Sequence, residues 1–236
     1  MPREPDNVIV VTGTDTEIGK TTVAAGVVRA LRRRGYDVRA IKPVESGIDR
    51  LAPPERDSAI LAEASGQDEP ERAFVQLGAP LAPPEAADIE GVELDMGDWI
   101  GRIRQIADEA DWVVVEGAGG LLSPLTWRED TLDLAGRLDA NALVVAPNQL
   151  GVLNHTLLTL RALRDESIPL TGVVFNATID SPDDDPSIPK NLDTFKTVSG
   201  VEHVVGCPRV DHWRETVEAL DVVASWMTDD GSGDEA

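Results

Sequence analysis

Cysteine, lysine and long apolar runs are scarce in this chain of 236 residues. Its one cysteine, Cys207, excludes a disulfide framework, and a single cysteine does not by itself suggest a metal site. No run of about 18 apolar residues is present, and the first residues lack the basic start and apolar run of a signal peptide. We therefore expect no membrane partner and a cytoplasmic location.

Basic residues are few compared with acidic ones. The sequence holds 43 acidic and 21 basic residues, which gives a formal net charge of −22. Such a charge repels nucleic acid and anionic lipid, so neither is an expected partner. Only four of the basic residues are lysines. Dispersed carboxylates with scarce lysine fit a protein that stays solvated in concentrated salt, and we advance a halophilic source as a hypothesis.

Short runs of β-branched residues alternate with helical patterns along the chain. Helical periodicity covers residues 21–34 and 153–164, and Gly35 is predicted to stop the first of these helices. The strands are predicted at residues 8–11, 38–41, 112–115, 142–146, 172–175 and 204–206. Strands that alternate with helices indicate βαβ units. The predicted class is therefore α/β, with a mainly parallel central sheet flanked by helices.

Proline and acidic residues mark the irregular segments. Segments 52–54 and 81–84 are typical of proline-rich turns, and segment 180–189 of an acidic surface loop. Residues 228–236 form a polar, acidic tail whose composition predicts disorder. No shift in composition marks a boundary before that tail, so we expect a single domain over residues 1–227.

A glycine-containing loop follows the first predicted strand. Residues 13–22 read GTDTEIGKTT, and the strand before them and the helix after them are the context of a Walker A loop. In such a loop, backbone amides and the helix N-terminus hold phosphate oxygens, the lysine reaches the β/γ-phosphates, and the next hydroxyl binds Mg²⁺. Gly13 lies one position before the first glycine of the general pattern, which here is Thr14. A glycine turn with an incidental Gly-Lys-Thr is the alternative.

This loop and four later segments resemble the dethiobiotin synthases. The loop matches that family's G-T-D-T-x-x-G-K-T, including the displaced glycine. The later matches are KPVESG at 42–47, RDSA at 56–59, VEGAGG with SPL within 115–125, and LGVLNH at 150–155. The resemblance implies a P-loop NTPase-like three-layer fold. It also implies a ligase that joins CO₂ to 7,8-diaminononanoate with ATP and closes a cyclic urea.

The reaction implied by the resemblance requires positioning and charge neutralisation more than covalent work by the protein. One amine takes up CO₂ as a carbamate, whose oxygen attacks the γ-phosphate, and the second amine then displaces phosphate. We assign Lys20 and Lys42 as catalytic residues and place Lys42 just after the second predicted strand. Thr21, Asp57 and Glu116 are the expected Mg²⁺ ligands. A solvated lysine and a helix-start aspartate are the alternatives for Lys42 and Asp57.

The same resemblance assigns further residues to the nucleotide and to the diamine. Besides the lysine and the metal ligands, the expected nucleotide contacts are Glu17, Ile18, Gly19, Thr22, Gly117, Ala118, Gly119, Asn176, Pro208, Arg209 and Val210. Within that set, Asn176 is expected to read the adenine edge, and Pro208, Arg209 and Val210 are expected to flank the base from the other side. The expected substrate contacts are Thr16, Ser46, Leu150, Gly151 and Asn154. The last three begin a predicted helix whose free amides would bind the substrate's carboxylate, in a site that the family builds across a homodimer.

Two other classes carry a similar loop. Cobyrinate amidotransferase-type synthetases usually add a glutaminase domain with a cysteine nucleophile, whereas the cysteine of this chain lies near its end. MinD-like switch ATPases favour a lysine near the start of the loop and often a basic surface or amphipathic tail. This strongly acidic chain shows neither feature. A dethiobiotin synthase is therefore the favoured interpretation.

Overall fold

A single parallel sheet forms the centre of the protein. The computed structural model describes residues 7–50, 52, 55–67, 73–178 and 185–228. Its seven strands lie in the order β3-β2-β4-β1-β5-β6-β7, and each neighbouring pair is parallel. They are β1 Val8–Gly13, β2 Val38–Ser46, β3 Ala73–Leu77, β4 Trp112–Glu116, β5 Asn141–Pro147, β6 Leu170–Asn176 and β7 Val204–Cys207. The predicted α/β class is confirmed.

Helices cover both faces of this sheet. They are α1 Lys20–Arg33, α2 Asp57–Ser65, α3 Pro83–Glu90, α4 Met96–Ala107, α5 Thr131–Arg137, α6 Val152–Asp165, α7 Ile188–Ser199 and α8 Val217–Thr228. Short 3-10 helices occur at Ile48–Arg50 and Trp213–Thr216. Because strand side chains alternate, Ile9 and Val11 of β1 pack in one core with α1, α2 and α8. Val8 and Val10 face the opposite core with α3, α4 and α5.

The buried runs of the sequence explain the central strands. Every residue of β1 is buried, as are the three valines of β4. A parallel strand covered by helices on both faces requires apolar side chains on both, which is why these segments read as continuous apolar runs. The strand ends that follow these runs, at Gly13 and Glu116, therefore lie together at the carboxyl edge of the sheet, where β1 and β4 are neighbours.

Two expectations about strands were wrong. The sequence predicted six strands, but the half-buried edge strand β3 is a seventh. Lys42 was placed after the second strand, yet β2 continues through it to Ser46. Strand β2 pairs with β4 only as far as Ile41 and with β3 from Lys42 onward. Pro43 is tolerated because it lies beyond the β4 pairing, where the strand has a partner on one side only.

The irregular segments also differ in part from prediction. Pro83 and Pro84, assigned to a turn, are the first residues of α3, where a missing backbone N–H has no helical partner to lose. The last two residues of segment 180–189, Ile188 and Pro189, likewise begin α7. Other parts of the irregular segments lie outside the described residues, namely 53–54, 179–184 and 229–236. The last of these ranges is most of the predicted tail. The first residue of that tail, Thr228, is instead the last residue of α8.

No helix in the described part of the chain is both long and apolar enough to cross a membrane.

Candidate active site

The loop between β1 and α1 folds tightly back on its own first glycine. A side chain on Gly13 would place its Cβ 2.7 Å from Cδ1 of Ile18 and 3.1 Å from Cδ of Lys20. The buried Ile18 anchors the loop, and Gly19 precedes the helix with a φ of 85°. That left-handed conformation favours glycine, whereas Glu17 adopts a φ of 57° without that freedom. A side chain at Gly13 would therefore displace the Ile18 side chain that anchors the loop, which gives the displaced glycine a steric reason.

Lys20 turns back over this loop. Its side chain is buried, and its Nζ donates to the carbonyl oxygen of Asp15 at 2.8 Å. Burial, together with the nearby ammonium of Lys42, lowers the pKa of Lys20 to about 8. An anion in the loop would oppose both effects. Phosphate oxygens bound in the loop would therefore raise the pKa of Lys20 and stabilise its charged form.

Lys42 joins the two carboxylates that the sequence predicted as metal ligands. Ile41 pairs with Val115 across β2 and β4, so the next residues, Lys42 and Glu116, face the same gap at the edge of the sheet. The Lys42 Nζ lies 2.6 Å from Oε1 of Glu116 and 2.8 Å from Oδ2 of Asp57. Both Lys42 and Glu116 are buried. The structure therefore brings these three residues together, and it shows Asp57 as a helix-start residue that also forms an ion pair.

These groups shift one another's protonation. Burial alone would lower the pKa of Lys42, but the carboxylates of Asp57 and Glu116 raise it above its ordinary value. Burial raises the pKa of Glu116 against the attraction of Lys42. Burial acts in the same direction on Asp57, but there the ammonium of Lys42 prevails and lowers the pKa. Lys42 is consequently held as a cation between two acids that compete for it.

The same carboxylates suit a divalent cation. Glu116 Oε2 is buried and has no hydrogen-bond partner among the described residues. The Thr21 hydroxyl donates to Oε1 of the same carboxylate at 2.9 Å, at the first turn of α1. Mg²⁺ prefers one or two carboxylates with hydroxyl, phosphate and water oxygens. Thr21, Asp57 and Glu116 therefore fit Mg²⁺ chemically, and an ion there would satisfy the unpaired oxygen.

The glycine-rich segment after β4 lies against the phosphate loop. The Gly117 amide donates to Val11 O, and the Leu121 amide donates to Gly13 O at 3.1 Å. A Cβ on Gly119 would come within 2.5 Å of the Ser123 Oγ and 3.6 Å of the Thr16 Oγ1. The segment that contains Gly117, Ala118 and Gly119 therefore lies beside the phosphate loop.

A cleft of about 530 Å³ opens between these loops and α6. Its walls include Thr14 and Asp15 from the phosphate loop, Ser123 from the segment after β4, and His155 and Leu158 from α6. The cleft is large enough for a small organic molecule and lies directly against the phosphate loop.

The predicted adenine contacts meet at the carboxyl edge of β6 and β7. Asn176 is paired with Cys207 in the last register position of these strands, so Pro208, Arg209 and Val210 follow beside it. The buried Asn176 side chain donates through Nδ2 to Ile18 O at 2.9 Å. Its amide therefore supports the phosphate loop, which the sequence did not indicate.

The predicted substrate contacts lie in three places: the phosphate loop, the end of β2 and the start of α6. Thr16 is exposed in the phosphate loop, and the Ser46 hydroxyl donates to Leu81 O at 2.7 Å. Leu150, Gly151 and Asn154 are exposed at the start of α6 and are not among the residues that line the cleft. The Leu150 amide already donates to Oδ2 of Asp185 at 2.7 Å. One of the amides expected to be free is therefore occupied.

Sequence reasoning gave no role to Glu45. This acid lies inside the buried part of β2, where its side chain is 3% exposed. The available signal was an acidic residue in a largely buried strand, between Lys42 and Ser46, which already carried assignments. A buried carboxylate requires partners, and those of Glu45 belong to α2.

Comparison with known proteins shows which sequences this chain resembles. Residues 7–214 match the model of a family described as an AAA domain. An ATP-dependent dethiobiotin synthetase BioD of Anaeromyxobacter dehalogenans is 48% identical over 183 residues, which are 77% of this chain and 80% of the relative. One from Caulobacter vibrioides is 37% identical over 86% of this chain and 93% of its own.

Solved structures share the fold at low identity. The septum site-determining protein MinD of Pyrococcus horikoshii, determined with Mg-ADP, has a TM-score of 0.60 and 16% identity over 93% of this chain and 94% of its own. This likeness concerns the fold alone. The sequence relatives and the motifs at the site decide the family: the chain belongs to the ATP-dependent dethiobiotin synthetases.

Proposed function

We propose that the protein carries out the ATP- and Mg²⁺-dependent carboxylation and ring closure of 7,8-diaminononanoate with CO₂. The products would be dethiobiotin, ADP and phosphate, in biotin biosynthesis. The observation that carries the proposal is the cluster of Lys42, Asp57, Glu116 and Thr21 beside the phosphate loop. It supplies a buried cation and metal-binding oxygens next to a loop suited to a triphosphate, which the transfer of a phosphoryl group to a carbamate requires.

Lys20 and the residues of this cluster divide the work of the proposed reaction among them. Lys20 neutralises the β/γ-phosphates, with the loop amides around it. Lys42 binds the carbamate and the transferring phosphoryl oxygens, where its fixed positive charge stabilises the charge that develops. Thr21, Asp57 and Glu116 would hold Mg²⁺, whose charge helps to neutralise the phosphates. The carbamate oxygen attacks the γ-phosphorus and ADP leaves. The second amine then attacks the carbamate carbon and phosphate leaves.

The cleft against α6 is the proposed place of the diamine. It borders the phosphate loop at Thr14 and Asp15, so an amine bound in it would form its carbamate close to the γ-phosphate. Thr16 and Ser46 are proposed to bind the reacting end. Asn176 and Pro208–Val210 are proposed to surround the adenine, because they lie at the same sheet edge beside the loop.

A homodimer is part of the proposal. Leu122 and Leu158 at the cleft are 62% and 60% exposed, and Leu150 at the start of α6 is 80% exposed. A second copy would cover these apolar side chains and bring its own Gly151 and Asn154 toward the substrate's carboxylate. Light scattering should give twice the chain mass of 25.3 kDa. Leu158→Asp should halve that mass, because it places a charge in the proposed interface. Ile89 is a similarly exposed side chain of the same size outside the cleft, so Ile89→Asp should leave the mass unchanged.

The decisive experiment tests the product and the route together. The protein is incubated with ATP, Mg²⁺, 7,8-diaminononanoate and ¹⁸O-labelled bicarbonate, and the products are analysed by mass spectrometry. The proposal predicts the cyclic urea and one labelled oxygen in the released phosphate, because the carbamate oxygen leaves with it. ATP consumption without urea would contradict the proposal and favour another P-loop class. Omission of the diamine is the control.

A further inference from the structure

Glu45 is a carboxylate inside the sheet that is fully engaged by the start of α2. Its Oε1 accepts a hydrogen bond from the Asp57 amide at 2.6 Å, and its Oε2 accepts one from the Ser58 hydroxyl at 2.6 Å. Gln76 lies opposite Glu45 in the β2–β3 register, and its Nε2 donates to the same hydroxyl at 3.3 Å. A buried carboxylate is costly without such bonds. The network therefore links β3, β2 and α2.

Glu45 takes the place of a local cap for helix α2. The amides of the first turn of a helix have no partner within the helix. Arg56, in the capping position of α2, makes no side-chain capping bond. Glu45 supplies that acceptor from a neighbouring strand, and its negative charge also lies at the favourable end of the helix dipole.

The residue held by this contact is a proposed metal ligand. The amide bound by Glu45 is that of Asp57, whose carboxylate lies 2.8 Å from the Lys42 Nζ. The Asp57 side chain is 36% exposed, so packing around it does not fix its position fully. The position of its backbone therefore has a large influence on where its oxygens point.

We propose that Glu45 is a positioning residue, which holds the start of α2 so that the Asp57 carboxylate faces Mg²⁺ and Lys42. The proposal rests on the metal site of the proposed function. Both oxygens of Glu45 already accept bonds from the start of α2, so in this proposal Glu45 acts through Asp57 and not on the metal directly. Partners that orient a metal ligand typically change metal affinity or activity by about 10- to 100-fold when they are removed.

The test measures Mg²⁺-dependent nucleotide binding without any diamine. ATP is titrated into the protein by calorimetry, once with Mg²⁺ and once with EDTA. Glu45→Ala should weaken binding about 10-fold with Mg²⁺ and leave binding in EDTA unchanged. Glu45→Gln retains an oxygen that can accept from the Asp57 amide, so it should keep most of the Mg²⁺-dependent affinity. If the alanine variant fails to fold, Glu45→Met replaces it, because methionine has a similar length but offers no acceptor to the Asp57 amide, and the same loss of about 10-fold is expected; wild-type affinity in Glu45→Met would overturn the proposal.

A matched control separates positioning from general helix capping. Asp95 caps α4 by accepting from the Asp98 amide at 3.1 Å, and neither residue belongs to the proposed site. Asp95→Ala should lower the melting temperature, as Glu45→Ala does, while Mg²⁺-dependent ATP affinity stays at the wild-type value. If Glu45→Ala lowers only the melting temperature, Glu45 is a structural cap and the proposal is wrong.

A double-mutant cycle tests whether Glu45 acts through Asp57. Asp57→Ala and the Glu45→Ala/Asp57→Ala double variant should show the same Mg²⁺-dependent ATP affinity, because the group to be positioned is already gone. Additive losses, or wild-type ATP binding that does not depend on Mg²⁺, would overturn the proposal. A protein that forms no cyclic urea but loses Mg²⁺-dependent affinity in Glu45→Ala would refute the proposed function and leave the role of Glu45 intact.

Discussion

At the scale of the residue, one ammonium group keeps two acids together. Lys42 lies between Asp57 and Glu116, and its pKa is raised by both of them. We expect Lys42→Ala to lower the turnover number about 10²- to 10³-fold or more, because it removes a preorganised charge from the phosphoryl group. ATP binding, measured by calorimetry, should persist because Lys20 and the loop are unchanged.

The exposed Lys190 provides the control for this substitution. It lies on α7, and Lys190→Ala should leave turnover at the wild-type value. Lys42→Ala also leaves two carboxylates facing each other, so its melting temperature should fall in EDTA and recover with Mg²⁺. Near-normal turnover in Lys42→Ala would exclude it from the chemistry.

The one cysteine offers a residue-scale probe of the native state. Cys207 is 2% exposed, and burial raises the pKa of its thiol to about 11. Because the thiolate is the reactive form, native labelling by a disulfide reagent at pH 8 should be at least about 100-fold slower than for an exposed thiol. The fraction of thiolate, and with it the rate, should rise with pH up to about 11. Urea should restore fast labelling; rapid stoichiometric labelling of the folded protein would contradict this prediction.

At the scale of the element, two helical glycines should respond oppositely to the same change. A Cβ on Gly26 of α1 would lie 2.2 Å from the Thr216 Oγ1 and 2.6 Å from a Leu220 methyl carbon, both buried. Gly26→Ala should therefore lower the free energy of unfolding by about 1–3 kcal/mol. Gly101 of α4 has open space around it, so Gly101→Ala should raise that energy by about 1 kcal/mol. Urea titration of both variants measures these changes, and a gain in both would refute the close packing of α1 against α8.

Three of the strands that the sequence predicted are buried along almost their whole length. Strands β1, β4 and β5 are covered on both faces, so their apolar runs are visible without any knowledge of their neighbours. Strand β3 has four half-buried residues out of five, and its short pattern is not distinctive. Helix α3 was missed because two prolines suggest a turn, although they are equally acceptable at the first positions of a helix.

The residues of the candidate site also divide into those that the sequence could place and those that it could not. The phosphate loop and Glu116 could be placed because each directly follows a recognisable buried strand. The contact of Asp57 with Lys42 depends on where α2 starts relative to β2, and that start is set by Glu45 through space. The bond from Asn176 to Ile18 joins residues 158 positions apart. No local pattern reports such contacts, so their partners became visible only in the fold.

At the scale of the whole molecule, the net negative charge of the chain affects how an anionic nucleotide reaches the candidate site. In the interior, the positive charge of Lys42 is paired with the carboxylates of Asp57 and Glu116. The chain as a whole, by contrast, carries a net charge of −22. An anionic nucleotide must approach this negative protein, so salt should accelerate its association by screening the repulsion. Stopped-flow measurements of Mg²⁺-ATP binding should show a rate that rises with KCl concentration. A rate that falls with salt would indicate local steering by the basic residues of the site.

The stability of the folded chain should depend on salt for the same reason. Repulsion among 43 acidic residues, only partly offset by 21 basic ones, opposes the compact state more than the expanded one. Ordinary screening is largely complete when the Debye length reaches about 8 Å, near 0.15 M salt. A halophilic protein should continue to gain melting temperature into molar KCl, whereas simple screening would level off near that concentration. Thermal melts across a KCl series, with a sucrose series as the uncharged control, distinguish the two, and full stability without added salt would refute the halophilic hypothesis.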